Sequence, residues 1–294
     1  MDIFLQQLVN GLSLGGTYAL LAIGLAIIYS IMGLINFAHG DLMTLTGYAM
    51  IGVVALGLPF PVAILCGLVA ATLAAMAMER IAFRPLRGAS GASMLLSSLA
   101  VSTVLHIAFQ VLISARPQAL PFPPMFSGAM DLGFARIGNI QAISIVVAVL
   151  ALIVVNAILY RLPLGIAIRA AAQDFDATRV MGVQANRLIS LAFGLSGVLA
   201  GIAGVLWIAQ RGSVDPALGF NPVIKAFIAV TLGGLGSLQG AVLGGLFLGL
   251  LEVFLRAYLP EDTLPYREAV ALTLVVFVLL FRPQGFMGKS EAVR

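Results

Sequence analysis

Residues 139–160 read NIQAISIVVAVLALIVVNAILY, and residues 161–187 read RLPLGIAIRAAAQDFDATRVMGVQANR. The first stretch carries no charge and has the length of about 20 apolar residues that lets a helix cross a hydrocarbon core. The second holds four arginines and two aspartates, and another uncharged stretch, residues 188–210, follows it. Charge is costly at membrane depth, so the junction reads as membrane helix, surface loop, membrane helix. Within the loop, residues 165–182 can form a short amphipathic helix. Ile168, Ala172 and Phe175 recur at i, i+4, i+7, and Arg169, Gln173 and Asp176 repeat that spacing on a neighbouring polar face.

Composition extends this reading to the whole chain. It is 61% hydrophobic and 10% charged, with a mean hydropathy of +1.09. A soluble core has no use for so much apolar surface, so the class is a polytopic membrane protein. Apolar windows place spans at residues 8–31, 42–58, 62–83, 94–114, 139–160, 188–210, 241–258 and 269–281. The expected fold is therefore all-α, a single transmembrane domain over residues 1–294 with about eight transmembrane helices. Residues 222–236 add an apolar piece too short and glycine-rich to count as a span, which reads as a re-entrant or broken segment. The longest polar segments are residues 161–187 and 115–138, the latter stiffened by Pro117, Pro121, Pro123 and Pro124. The start, MDIFLQQLVNGL, lacks a positive region and a small-residue cleavage site, so the first span is expected to be retained. Cys66 is the sole cysteine, which excludes an internal disulfide.

Basic residues set an orientation. Arg80, Arg84 and Arg87 follow the third span, Arg161, Arg169, Arg179 and Arg187 the fifth, and Arg282, Lys289 and Arg294 the last. These ten of the sixteen share one side if residues 222–236 cross the membrane, and the positive-inside rule makes that side cytoplasmic, with the C-terminus there. If residues 222–236 are re-entrant, the parity reverses. The sequence pI near 9.6 does not imply nucleic acid, because the basic residues are scattered between apolar runs.

Few motifs carry chemistry. Asn36-Phe37-Ala38-His39-Gly40-Asp41 lies between two apolar runs, with Gly33 and Gly47 on either side. If this junction breaks a helix at membrane depth, Asn36, Phe37, His39, Gly40 and Asp41 are pathway candidates; the alternative is a wetted interfacial turn. The run from Thr231 to Gly240 holds Gly233, Gly234 and Gly236 but no Lys-Ser or Lys-Thr after them, so it is not a phosphate loop. Gly236/Gly240/Gly244, Gly245/Gly249, Gly197/Gly201 and Gly11/Gly15 have the small-xxx-small spacing of packed membrane helices, which favours packing over ligand contact. Glu79 and Arg80 can reach an interface from a span end. His106 reads as a hydrogen-bonded packing residue, and Glu252 can be neutralised by Arg256 at i+4. No paired catalytic carboxylates, nucleophile set or metal cluster is present, so no enzyme is expected. A transporter without a nucleotide loop or ion relay needs an external motor, and an amphipathic loop helix suits one. An ordinary basic loop is the plain alternative.

The segment from Ile168 to Asp174, with Ala177 and Met181-Gly182-Val183, resembles the coupling-loop motif of ABC importer permeases of the branched-chain amino acid subgroup. Residues 10–20, 35–40, 225–237 and Arg282-Pro283-Gln284-Gly285 are similar to blocks of the same subgroup, in order, over essentially the whole chain. The Asn-Phe-Ala-His-Gly block is most like the first of its two permease subunits. One departure is Ile166, where the family pattern has a basic residue.

The resemblance implies a bacterial inner-membrane permease embedded in lipid, with no nucleic-acid partner. Its partners would be a second homologous permease, two cytosolic ATPase subunits that bind the ATP, and a periplasmic solute-binding protein. It implies that Arg169, Ala172, Asp174 and Gly182 lie at the ATPase interface. Asn36, Phe37, His39, Gly40, Asp41, Gly233, Gly234 and Gly236 would lie on the substrate pathway, and this chain would hold no cofactor of its own. The solute would be a branched-chain amino acid, with urea, amides or another small polar solute as the alternative. A secondary transporter or a channel is the reading from another class.

Overall fold

A computed structural model describes residues 2–126, 128–131 and 136–288. It is all-α apart from four strands of two or three residues. The helices are α1 (Asp2–Met32), α2 (Asp41–Ala55), α3 (Phe60–Met78), α4 (Gly91–Leu112), α5 (Asn139–Arg161), α6 (Pro163–Gln173), α7 (Phe175–Val180), α8 (Ala185–Arg211), α9 (Phe220–Gly233), α10 (Leu238–Tyr258) and α11 (Arg267–Phe281). Among the described residues, seven helices are long and apolar enough to cross a membrane. Two elements differ from the sequence reading. The span expected at 42–58 is α2, whose 15 residues reach about 22 Å, short of a hydrocarbon core of about 30 Å. The piece at 222–236 is α9, a 14-residue helix of about 21 Å.

Direction follows from contacts. α1 and α10 run antiparallel: Gly11 meets Leu250, Gly15 meets Leu246 and Gly249, and Ala19 meets Gly245. Each glycine removes a Cβ that would strike the facing helix, which is how helices gain close contact where lipid offers no hydrophobic drive. Gly197 likewise fits Ala71 and Ala75 of α3, and Gly204 fits Met43 of α2. Three of the four small-residue pairs therefore lie at helix contacts. In the fourth, Gly240 and Gly244 meet Gly233 and Ala229 of α9, while Gly236 has open space around it and φ +85. α1 and α8 are central, with 89% and 67% of their apolar windows buried, against 17–22% for α3, α4 and α5.

One end of the bundle carries α6 and α7 and is called the loop end here. The last turn of α1, the ends of α5 and α9, the start of α10 and residues 283–288 line one cavity at that end. The first turns of α1, the end of α8, the start of α9, the end of α10 and the start of α11 line a cavity at the opposite, far end. α9 thus runs from the far end to the loop end, so residues 222–233 traverse the bundle and are not a re-entrant turn. Residues 115–126, 128–131 and 136–138 lie at the far end. Their strand β1 (Gln118–Ala119) pairs antiparallel with β4 (Ser213–Val214), and β2 (Ala129–Asp131) pairs with β3 (Arg136–Gly138). Lys289 and Arg294 of the C-terminal basic group lie outside the described residues.

Candidate functional site

The Asn36–Asp41 block is a buried break in a membrane span. α1 ends at Met32, and Gly33 directly after it has a φ of +63 that suits only glycine without strain. The chain then returns into the bundle as extended backbone, makes a single 3-10 turn (Phe37–His39) and enters α2. Asn36, His39 and Asp41 are each at most 1% exposed, so the wetted interfacial turn is not what forms. Unwound backbone at this depth needs partners from neighbouring helices. Ser98 of α4 supplies them: its Oγ accepts from the Phe37 N–H at 3.3 Å and lies 3.1 Å from the Ile35 carbonyl oxygen. Ser196 of α8 donates to the Gly24 carbonyl at 3.0 Å and stands 3.2 Å from His39 Nδ1, from which it can accept.

Two further clamps come from sequence-distant residues. His106 of α4 brings Nε2 to 2.8 Å from Asp41 Oδ1, joining two groups that the sequence leaves unrelated. Gly40 meets the backbone of Gly219 ahead of α9, where Thr44 Oγ1 also accepts from the Gly219 N–H at 3.2 Å. The Phe37 and Phe227 rings lie 5.8 Å apart. The Asn36 side-chain amide, by contrast, makes no hydrogen bond among the described residues. A buried amide with free donors and acceptors at a helix break is a group able to contact a polar solute.

The loop forms two helices where one was expected over 165–182. Asp174 takes extended backbone at φ −152 and ψ 103, ends α6, and caps α7 by accepting from the Ala177 N–H at 2.8 Å. The buried face of α6 is Gly165, Ile168 and Ala171, so Ala172 is exposed instead of sharing the apolar face with Ile168. Arg169 is drawn back onto α5: its Nε donates to the Leu159 carbonyl at 3.0 Å, and its guanidinium lies 4.5 Å from the Tyr160 ring centre. Gly165 sits against Ile158 and Leu159 with no room for a Cβ. These contacts fasten α6 to the end of α5. What projects is the tip of α7, where Val180 and Met181 are 87% and 85% exposed and Gly182 turns the chain at φ +90.

Gly233, Gly234 and Gly236 build the α9–α10 turn at the loop end. Gly233 packs on Gly240, Gly234 has φ +103 and Gly236 φ +85. The turn holds the Arg282–Gly285 block, because the Phe286 and Met287 N–H groups donate to the carbonyls of Leu232 and Gly233 at 2.8 and 2.9 Å. The structure therefore joins two of the family-like blocks at the loop end, and Phe227 of the first also meets Phe37 of the broken span.

Two charge assignments change. Glu252 does not neutralise Arg256: it binds Lys225 Nζ of α9 at 2.5 Å and accepts from the Tyr18 hydroxyl at 2.9 Å. Glu79 does not reach out to an interface. It is 2% exposed, pairs with Arg87 and accepts from Ser190 Oγ of α8 at 2.8 Å, while Arg87 also donates to Asn186 at 2.6 Å. Sequence reasoning passed over Ser98 and Ser196, and gave Lys225 only as part of a family-like block. Only Lys225 left a signal, a cation inside an apolar run. Among the described residues, no group of three potential ligands could hold a metal ion.

Comparison with known proteins places this architecture. A family model described as branched-chain amino acid transport system / permease component matches residues 7–280. The chain is 37% identical to the high-affinity branched-chain amino acid transport system permease protein BraD of Pseudomonas aeruginosa, over 98% of this chain and 97% of that protein. It is 35% identical to the corresponding LivH of Escherichia coli, over 98% and 96%. A permease of the same Escherichia coli system, LivM, is 32% identical over 53% of this chain and 36% of its own length. A solved structure, PsaBC from Streptococcus pneumoniae in complex with Fab, aligns over 92% of this chain at 14% identity with a TM-score of 0.47, too low to establish a shared fold. The chain belongs to the family of branched-chain amino acid transport permeases, the membrane subunits of ABC importers.

Proposed function

We propose that this permease is one of two homologous membrane subunits that import branched-chain amino acids across a bacterial inner membrane. Two cytosolic ATPases bind and hydrolyse the ATP, and a periplasmic binding protein delivers the solute to the far end. The observation that carries the coupling part is the form of α6 and α7: a base bolted to α5 and an unpartnered apolar tip at Val180 and Met181. A soluble motor can grip such a tip, and the Arg169 and Gly165 contacts pass its movement into α5. Arg169 then transmits force from inside the chain, while Ala172, Asp174 and Gly182 stand on the surface that meets the motor. The similarity to BraD and LivH supports the substrate class. Half-length similarity to LivM supports a second, homologous permease.

In this reading the loop end is cytoplasmic, and α5 and α8 carry its motion to α1 and to the broken span. Asn36, with its free amide, and the clamped His39–Asp41 turn lie where a shift of α4, α8 or α9 alters the pathway. The test is reconstitution of the complete complex in proteoliposomes carrying Val180→Asp or Met181→Asp, positions with no role in the folded core. Leucine uptake is expected to fall about tenfold or more while basal ATP hydrolysis remains, since a charge in an apolar contact costs at least 1–3 kcal/mol. Normal coupled uptake in both variants would overturn the coupling assignment. Uptake of urea or an amide with none of leucine would overturn the substrate class.

A further inference from the structure

The far-end cavity belongs to none of the family-like blocks that mark the coupling loop or the broken span. Its volume is about 770 Å³, within the range of small-molecule sites. Arg211, Lys225, Arg256 and Arg267 line it together with Glu252 and Glu268. We propose that it binds the zwitterionic head of a free α-amino acid, a proposal that rests on the import function above and gives the permease its own recognition site.

Charge bookkeeping inside the cavity points to that class of ligand. Lys225 and Glu252 satisfy each other at 2.5 Å, and the Tyr18 hydroxyl completes the carboxylate. Arg211 lies over the Trp207 ring at 4.6 Å, a contact that occupies its face and leaves its N–H edge available. The salt bridges among the described residues leave Arg256 and Arg267 unpaired. Glu268 is held only loosely, 4.0 Å from Lys225 with its side chain 68% exposed. What remains after internal pairing is three guanidinium groups, those of Arg211, Arg256 and Arg267, and the carboxylate of Glu268. That set complements an α-carboxylate, which guanidinium binds through paired N–H groups, and an α-ammonium.

A second observation is independent of charge. Ser13 Oγ, Gln141 Oε1 and Trp207 Nε1 are buried and make no hydrogen bond among the described residues. All three residues line this cavity. Buried polar atoms are paired in the great majority of cases, so three orphans on residues around one space are a local shortage of polar partners that a ligand reaching them would relieve. They come from the central helices α1 and α8 and from the first turn of α5. An anionic lipid headgroup would use the guanidinium groups but would find repulsion at Glu268. The amino-acid head uses both signs.

Trp207 is the sole tryptophan, so its emission reports on the cavity in the full-length chain. The chain in phosphatidylcholine nanodiscs is titrated with leucine, with isoamylamine, which lacks the carboxylate, and with N-acetyl-leucine, which lacks the ammonium. A saturable change with leucine, weakened about tenfold or more for each analogue, is expected from the loss of one charge-assisted contact. Arg256→Gln/Arg267→Gln, at the rim of the cavity, is expected to weaken leucine by a similar factor while leaving the emission of the free protein unchanged. No saturable response to any free amino acid overturns the site, as does an equal response to isoamylamine. An emission change produced only by anionic lipid in the disc overturns it in favour of a lipid. Leucine uptake by the full complex, measured in parallel, separates the two proposals: uptake with a silent Trp207 removes the site and keeps the import function. A response to another free amino acid, with none to leucine and no leucine uptake, keeps the site and removes the branched-chain substrate.

Discussion

Gly40 has an ordinary helical φ of −65, so its conformation does not demand glycine. Space does: a Cβ there would strike the Gly219 carbonyl and the Val223 side chain. Gly40→Ala must push the broken span away from the start of α9, and overpacking of this kind costs about 1–3 kcal/mol. Gly52, exposed in the interior of α2, has nothing within 4 Å of its Cβ position. Gly52→Ala should therefore be neutral or stabilise by up to about 1 kcal/mol. Thermal unfolding of the two purified variants in one detergent checks the contrast, and equal midpoints would contradict the close approach. At this scale the sequence named Gly40 and His39 as worth attention. It carried no mark on Ser98 or Ser196, because a serine on an apolar helix looks alike whether or not a broken backbone lies opposite.

At the scale of elements, the short helices and the span ends were the hardest to read. A periodicity of i, i+4, i+7 over residues 168–175 suggested one continuous helix, but the Asp174 side chain bonds the backbone ahead of it and starts a second. An aspartate in a helix-like pattern is compatible with either outcome. The end of α3 held a similar surprise, since Glu79 is sealed in by Arg87, which also reaches Asn186 of α8. This network ties α3 to the start of α8, directly after the coupling loop. Arg87→Met leaves the Glu79 carboxylate with Ser190 alone and should cost about 1–3 kcal/mol, and adding Glu79→Gln should recover part of the loss. Unfolding midpoints of the single and double variants check it, and an unaffected single variant would show that the pair contributes nothing.

For the whole molecule, charge separation agrees with the direction of the helices. Arg84, Arg87, Arg161, Arg169 and Arg282 lie at or near the loop end, where residues 283–288 also dock. Arg211, Lys225, Arg256 and Arg267 gather at the far end. The positive-inside rule weighs the first group as cytoplasmic. With Cys66→Ser as background, Thr263→Cys should react with an impermeant maleimide in intact spheroplasts, and Gln173→Cys only after the membrane is opened. Both positions are exposed. Reaction of both, or the reverse order, would refute the orientation.

Length, composition and the run of apolar windows were enough to establish an all-α membrane protein with a charged loop after its fifth long apolar stretch. Those properties are local, because the bilayer demands about 20 apolar residues wherever a helix crosses it. Tertiary structure alone decided how the short pieces are used. α2 crosses only together with the buried break ahead of it, α9 packs closely along α10 through glycine contacts, and the coupling loop splits at a cap. It also decided which charges meet: Asp41 with His106, Glu252 with Lys225, and Glu79 with Arg87. The partners Asp41 and His106, and Lys225 and Glu252, sit on different helices, so no spacing along the chain encodes them.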